Sequence, residues 1–410
     1  MNEGDGTAMG MRFVFWLSAL AVVYVYAGYP LLLAAWARLR PRPLPPAAAA
    51  TDDVPHVSIV IAARNEASRL PARIDNLLAL DYPADRRQII VVSDGSTDDT
   101  LGALARFGTA VETIAVPACG KAAALNAGVS RATGTILVFA DARQMFAPDA
   151  VRELVAPFAD PAIGGVTGEL LLDCEASEVA GRREGAERRR LRIDRRTRDD
   201  RGPGRRVDAD RRGRLVSTIA DGVGLYWTYE KQLRRWESRV GSTLGATGAI
   251  YALRRDLYRP LPADTILDDV LTPMRAVLAG YRVVFSDRAF AFDRASADSG
   301  TEQRRKVRTL AGNVQILWQE PRLLVPLVNP VWLQFVSHKL GRLMVPYALL
   351  TLFTASVALA ERNVVYAAAL TAQCALYMLG GYGAWLEHRA WLQTAPVKPA
   401  ALAAERIVNA

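Results

Sequence analysis

The chain has 410 residues, of which 51% are hydrophobic, so it is large enough to bury one large core or two ordinary ones. Its net charge of +9 is concentrated in Gly181–Arg214, which holds 15 Arg against 7 Asp or Glu, and no basic stripe interleaved with aromatic residues is visible. We therefore expect no nucleic-acid partner. The three cysteines lack a CxxC spacing, which argues against a disulfide framework and a structural zinc site.

The chain opens with a tail, residues 1–12, followed by an apolar run that carries aromatic residues at its ends. This run, Phe13–Trp36, is longer than the roughly 20 residues that cross a bilayer. A cleaved signal peptide is the alternative, but the leader MNEGDG is acidic and the run is too long for a signal core. We predict a transmembrane helix at 13–36 and a linker at 37–54.

Residues 55–312 show short β-branched runs that alternate with helical patterns, which is typical of an α/β domain with a mostly parallel sheet. The first four strands are predicted at Val57–Ala63, Gln88–Ser93, Val111–Val116 and Thr135–Phe139, with helices near 67–80, 98–106, 121–130 and 148–158. The Arg-rich stretch, 181–214, is predicted to be a disordered or solvated insert, with anionic lipid as the alternative partner.

Polar residues follow all four of these strands, at the sheet edge where ligands of such folds bind. Asp94, in SDGSTDDT, either contacts a nucleotide or belongs to a helix-capping turn. Lys121, in GKAAALNAG, either faces a diphosphate at a helix start or is a solvated surface residue. Asp141, in VFADAR, is either a ligand of Mg²⁺ or Mn²⁺ or an ordinary loop aspartate.

Two later motifs also carry candidate residues. The small residues of GATGAIYALRR, 245–255, either let a substrate approach the backbone or form a tight turn. TILDDV sets Asp268 and Asp269 between apolar residues, where adjacent acids raise one pKa. This pattern favours a general base, with helix capping by Asp268 as the rival interpretation.

The C-terminal part contains further apolar segments. Residues 313–341 are interrupted by prolines and are predicted to lie at the membrane interface, whereas 343–360 and 364–385 predict a transmembrane hairpin. Positive charges follow the first span and precede the second, so the central domain and the tail, 386–410, are predicted to be cytoplasmic.

Taken together and in this order, the motifs resemble the family 2 glycosyltransferases, inverting enzymes that include bacterial cellulose, hyaluronan and poly-N-acetylglucosamine synthases. The resemblance covers about 57–312 and the flanking apolar segments. It implies a GT-A fold, a multi-pass position in the bacterial inner membrane, a nucleotide-sugar donor such as a UDP-sugar, and Mg²⁺ or Mn²⁺. It also implies a polysaccharide acceptor, with a second copy of the chain or an export protein as a further partner.

The resemblance assigns roles residue by residue. Asp269 matches the catalytic base, and Asp268 matches the acid beside it in the family's TED motif. The residues that match the donor-binding side are Ala62, Glu66, Asp94, Lys121, Asp141 and Arg308, of which Asp141 would also bind the metal. The residues that match the acceptor side are Gly245, Thr247 and Gly248.

The sequence departs from the family pattern at two places. Arg143 replaces the second acid of the metal motif, so metal binding rests on Asp141 and waters, or the guanidinium contacts phosphate directly. The family's QxxRW motif is best matched at Arg305–Thr309, where Arg308 is kept and Thr309 stands in place of Trp. Single-sugar transfer to a lipid-linked acceptor, and an inactive nucleotide-sugar-binding subunit, are therefore the alternatives.

Overall fold

A computed structural model describes residues 3–42, 54–172, 218–293 and 299–394. The predicted Arg-rich insert, most of the predicted linker and the end of the C-terminal tail lie outside these ranges. The chain divides into two compact units. One comprises Tyr29–Ala297 and Glu302–Leu340, and the other comprises Met1–Gly28, Asp298–Thr301 and Gly341–Ala410.

The larger unit is built on one eight-stranded sheet with the order β3-β2-β1-β4-β7-β6-β8-β5. The strands are β1 Val57–Ala63, β2 Arg87–Asp94, β3 Glu112–Val116, β4 Ile136–Ala140, β5 Met145–Phe146, β6 Ile163–Leu172, β7 Ile250–Arg254 and β8 Arg282–Asp293. The first four strands are parallel to one another, and β7 joins β4 antiparallel. The predicted α/β class with a mostly parallel sheet is confirmed.

The helices agree with the predicted alternation of strand and helix. They are α1 Glu3–Val23, α2 Tyr29–Leu39, α3 Leu70–Leu78, α4 Thr100–Ala105, α5 Lys121–Arg131, α6 Ala150–Val155, α7 Thr218–Val240, α8 Asp268–Leu278, α9 Ser299–Gln319, α10 Trp332–Gln334, α11 Gly341–Leu359 and α12 Val364–Thr394. The helix expected from residue 67 begins later, at Leu70, after a turn in which the amides of Arg69 and Leu70 donate to the backbone oxygen of Glu66.

Strand β1 shows why the sheet is covered on both faces. Ile59 and Ile61 pack into one buried core, whereas Val60, which points the opposite way, packs into the other. Side chains that are apolar on both faces are typical of a strand buried between helical layers. The rigid centre of the sheet therefore fixes the positions of the loops that follow its strands.

The smaller unit is formed by α1, α11 and α12. Phe15, Ala355, Leu359 and Tyr366 form its buried cluster, while large apolar side chains such as Phe13 and Met378 are exposed. Three helical stretches are long and apolar enough to cross a membrane: Gly6–Leu39, Trp332–Leu359 and Val364–Leu386. The second of them begins at Trp332, inside the segment 313–341 for which an interfacial position is predicted.

Candidate active site

The carboxyl ends of the parallel strands bring the sequence-predicted motifs to one edge of the sheet. Asp94 ends β2, Lys121 begins the helix after β3, and Asp141 directly follows β4. Antiparallel pairing of Ala140 with Ile250 places the start of β7 beside the end of β4. The small-residue motif that precedes β7 therefore lies at the same edge as Asp141.

Asp94 is buried and its carboxylate already accepts backbone hydrogen bonds. Its Oδ1 accepts from the amide of Cys119 at 2.7 Å and from that of Gly120 at 3.1 Å. Gly95 has φ +57°, and a Cβ there would lie 2.6 Å from the backbone nitrogen of Ala118, so only glycine fits this turn. The side chain of Asp94 thus holds the loop that delivers Lys121.

The loop after β1 is tied to the loop after β2. The amide of Glu66 donates to Thr100 Oγ1 at 3.1 Å, and the carboxylate of Glu66 accepts from Arg69 at 2.8 Å. Asn65 accepts from the amide of Thr97 at 2.8 Å. Ala62 pairs with Val92 within the sheet beneath these loops. Two of the segments assigned to the donor side are therefore held together as one structure.

Lys121 lies between two carboxylates at the centre of the edge. Its Nζ is 3.1 Å from Asp141 Oδ1 and 3.3 Å from Asp268 Oδ1. Asp268 is buried, while Lys121 and Asp141 each expose about a third of their side chains. Burial lowers the pKa of Lys121, but the negative charges of Asp268, Asp141 and Asp269 raise it by a larger amount. The net shift of the pKa is upward, so the ammonium stays charged.

Asp269 follows at the start of α8 and contacts the acceptor-side loop. Its Oδ2 accepts from the amide of Gly248 at 3.1 Å, and its backbone oxygen accepts from the amide of Ala246 at 2.7 Å. Burial, and next the charge of Asp268, raise the pKa of Asp269 to about 6. A carboxylate with a pKa near neutrality is suited to accept a proton.

The acceptor-side loop is shaped by its glycines. Gly245 has φ +147°, and a Cβ there would lie 3.1 Å from Val270 Cγ2. A Cβ on Gly248 would lie 2.9 Å from Asp269 Oδ2. Between them, Thr247 donates its amide to Thr167 Oγ1 at 2.8 Å. The loop therefore runs directly against the carboxylate of Asp269, with no room for larger residues.

Part of the chain that carries this arrangement matches a known protein family. Residues 58–220 match the family described as Glycosyl transferase family 2. The chain contains a family 2 glycosyltransferase domain. The resemblance inferred from the sequence motifs is thereby confirmed.

Curated relatives of the family 2 domain are sugar transferases. The chain is 31% identical over 145 residues to the β-monoglucosyldiacylglycerol synthase of Synechocystis, a match that covers 34% of this chain and 30% of that protein. It is 31% identical over 121 residues to the poly-β-1,6-N-acetyl-D-glucosamine synthase of Staphylococcus aureus, covering 28% and 29%. The matched region thus spans under a third of these relatives.

A solved structure supports the fold over a longer range. The mannosyltransferase PcManGT of Pyrobaculum calidifontis, in complex with GDP-Man and Mn²⁺, aligns with a TM-score of 0.62 at 22% identity. The alignment covers 92% of this chain and 96% of that one. The family 2 domain is therefore GT-A-like, as predicted.

The structure brings most of the predicted site residues together, including Gly248, Asp268 and Asp269, which follow the matched residues 58–220. Lys121, Asp141, Asp268 and Asp269 form one cluster, and Gly248 contacts it. Arg308, on α9, is exposed and its Nη2 is 3.5 Å from the backbone oxygen of Ile266, two residues before Asp268. Arg308 therefore lies beside the start of α8, and it forms no ion pair with Asp268 or Asp269, the two carboxylates at that start.

The residues present fit a divalent cation that is shared with a phosphate ligand. No group of three or more His, Cys, Asp or Glu within the described ranges could hold a metal ion without other ligands. Asp141 supplies one partly exposed carboxylate at the site edge. Mg²⁺ in nucleotide sites is often held by one or two carboxylates together with substrate phosphates, and a single aspartate suits that arrangement.

Sequence reasoning missed three cations near the site. Arg73 is fully buried over the ring of Phe146, and burial lowers its pKa to about 9. Its Nη1 donates to Asn76, which in turn bonds the backbone of Phe146 shortly after the Asp141 loop. Arg234 and Lys339 lie near Asp269. For Lys339 a signal was available, since a lysine inside an apolar segment is unusual.

Proposed function

We propose that the protein is a membrane-bound inverting glycosyltransferase that transfers a sugar from a nucleoside-diphosphate sugar, specifically a UDP-sugar. The observation that carries the proposal is the cluster of Asp141, Asp268 and Asp269 around Lys121 at the strand ends of a family 2 domain. The positive charges that flank the apolar segments favour an inner-membrane protein whose site faces the cytoplasm. Activated nucleotide sugars are cytosolic compounds, so a site on that side has access to its donor.

The donor side consists of the two tied loops and the lysine. Asp94 and Glu66 belong to the two loops that hold the nucleoside, and Lys121 faces the diphosphate. Asp141 would hold a Mg²⁺ or Mn²⁺ ion, and that ion would supply positive charge opposite the departing diphosphate. Arg308 adds a guanidinium near the start of α8. These groups stabilise the negative charge that develops on the leaving group.

The acceptor side contains the base. Asp269 takes the proton of the acceptor hydroxyl while the acceptor oxygen forms a bond to the anomeric carbon. The bond between that carbon and the diphosphate oxygen breaks in the same step, and the diphosphate leaves with the electron pair. Attack from the side opposite the leaving group inverts the configuration. Gly245, Thr247 and Gly248 line the approach to Asp269.

The acceptor is either a growing polysaccharide or a lipid-linked molecule. The resemblance to polymerising enzymes supports a cell-surface or exported polysaccharide, with a second copy of the chain or an export protein as a further partner. Thr309, in place of the tryptophan of those enzymes, favours single-sugar transfer to a lipid. The length of the product separates these two outcomes.

The proposed base predicts how turnover depends on pH. Asp269 must be ionised to accept a proton, and burial raises its pKa to about 6. We expect kcat/KM to fall as the pH drops below about 6 and to level off above pH 7. Asp268→Asn removes the neighbouring negative charge and should shift the midpoint to lower pH. A flat profile between pH 5 and pH 8 would contradict the assignment.

The tight contact of Gly248 predicts a strong effect of a small substitution. In Gly248→Ala the new methyl group would meet Asp269 Oδ2, so the carboxylate must move. We expect kcat to fall roughly 10- to 100-fold because a displaced base loses its alignment. Gly241→Ala is the matched control, since its Cβ would have only ordinary contacts at 3.7 Å. Equal rates in the two variants would argue against this role.

The proposed function is tested by a donor screen. The purified full-length protein in lipid nanodiscs is incubated with UDP- and GDP-sugars and a membrane lipid extract, and nucleotide release is measured. We expect release from a UDP-sugar that requires the extract, and a product whose size shows single or repeated addition. Absence of release from every donor, with intact nucleotide binding, would favour an inactive binding subunit.

A further inference from the structure

Arg234 lies beside the acceptor-side loop with most of its guanidinium unused. Its Nη1 donates to Thr247 Oγ1 at 2.6 Å, and the next residue, Gly248, contacts Asp269. Within the described parts of the chain this is its one hydrogen bond, and no carboxylate forms an ion pair with it. The other N–H groups of Arg234 are therefore available to a ligand next to Asp269.

Lys339 approaches the same region from a different element. It lies in the π-helical turn Phe335–Leu340, where its neighbour His338 contacts Glu237 on α7. Its charge interacts with those of Asp269, Arg234, Glu237 and Glu230. Its ammonium forms neither a hydrogen bond nor an ion pair with any residue that the structure describes. Two cations without contacting carboxylates thus converge on the acceptor side.

The acids that face Lys339 from α7 are engaged elsewhere. Glu237 is 1% exposed, accepts from the hydroxyl of Tyr29 at 3.0 Å and lies 2.6 Å from His338 Nδ1. His338 Nε2 is 3.7 Å from Glu230. The recorded contacts of these two carboxylates are therefore with His338 and Tyr29, and neither carboxylate forms an ion pair with Lys339.

The position of Lys339 in the chain indicates what carries that anion. It lies near the beginning of the candidate span Trp332–Leu359. A charged side chain in such a segment is costly, and it commonly marks a substrate path and pairs with another charged group. A ligand that reaches both this segment and Asp269 must join an apolar tail to an anionic head.

We propose that Lys339 and Arg234 bind the phosphate of a lipid acceptor and hold its head group against Asp269. This inference rests on the proposed function and narrows its acceptor to a lipid that carries a phosphate. The planar guanidinium and the ammonium supply charge-assisted hydrogen bonds to phosphate oxygens, which are stronger than bonds between neutral groups. A neutral glycan end or a diacylglycerol offers no partner for either cation.

Binding to short lipids in detergent tests the proposal without turnover. The full-length protein is titrated with farnesyl phosphate and farnesol, and with dioctanoyl phosphatidic acid and dioctanoylglycerol, in the presence of UDP. We expect at least one phosphate lipid to bind roughly tenfold or more tightly than its neutral counterpart. The preferred pair identifies an isoprenoid or a glycerolipid source.

Variants assign the preference to the two cations. Lys339→Met and Arg234→Gln should each remove most of it, Lys339→Arg should restore part, and UDP affinity should stay unchanged, which also reports folding. The controls are Lys306→Met and Arg131→Gln, two exposed cations, which should keep the preference. Equal binding of phosphate and neutral lipids, or a preference that survives both substitutions, would overturn the inference. Failure of the donor screen with an intact lipid preference would instead reject the proposed function.

Discussion

Asp269→Asn should lower kcat by about 100- to 10,000-fold while leaving UDP affinity nearly unchanged. The amide of asparagine has almost the same shape and can still accept the hydrogen bond from Gly248, but it cannot take the acceptor proton. The donor-side groups, Lys121 and Asp141, remain in place. The loss should therefore appear in turnover, measured under saturating donor, and not in nucleotide binding measured by calorimetry.

The same change at an exposed site provides the control for this prediction. Asp256→Asn alters an exposed aspartate in the turn after β7 and should keep full turnover. If Asp269→Asn turned over as fast as Asp256→Asn, Asp269 would not be the base. Asp268 would then be the next carboxylate to test, although its ion pair with Lys121 makes it the poorer proton acceptor.

Asp141→Ala should remove most of the metal-dependent part of UDP affinity, a loss of roughly 100-fold in the presence of Mn²⁺. Asp141 offers the partly exposed carboxylate suited to a cation shared with the diphosphate. Without it, Lys121 still pairs with Asp268, so the metal-independent part of nucleotide binding should persist. Titration of UDP with Mn²⁺ and with a chelator measures the two parts separately.

The unmutated protein supplies the decisive comparison for the metal. Equal UDP affinity with and without Mn²⁺ would reject Asp141 as the ligand of a cation shared with the diphosphate. Arg143 would then be the group to examine, because its guanidinium could meet the diphosphate in place of a cation. Asp256→Ala again serves as the matched control and should leave the metal dependence intact.

The sheet and the location of the site were predictable because both follow from local patterns. Strand β1 was predicted at Val57–Ala63 and has those bounds, since its β-branched residues fill both buried faces. The rule that parallel strands present their carboxyl ends at one edge placed Asp94, Lys121 and Asp141 together. The roles given to these residues still rest on the resemblance and await experiment.

Other features depend on contacts between distant parts of the chain, which no local pattern encodes. The sequence did not show that Asp94 binds the amides of Cys119 and Gly120, or that β7 lies antiparallel between β4 and β6. Nor did it place Lys339 near Asp269. The position of Lys339 near Asp269 depends on how the turn Phe335–Leu340 packs against α7.

The proposed function requires a single displacement on a nucleoside-diphosphate sugar, with Asp269 as the base. Its most direct test is the anomeric configuration of the first product, determined by NMR after turnover of an α-linked UDP-sugar. Direct displacement predicts a β linkage in the product. An α linkage would require a retaining mechanism and would contradict the role proposed for Asp269.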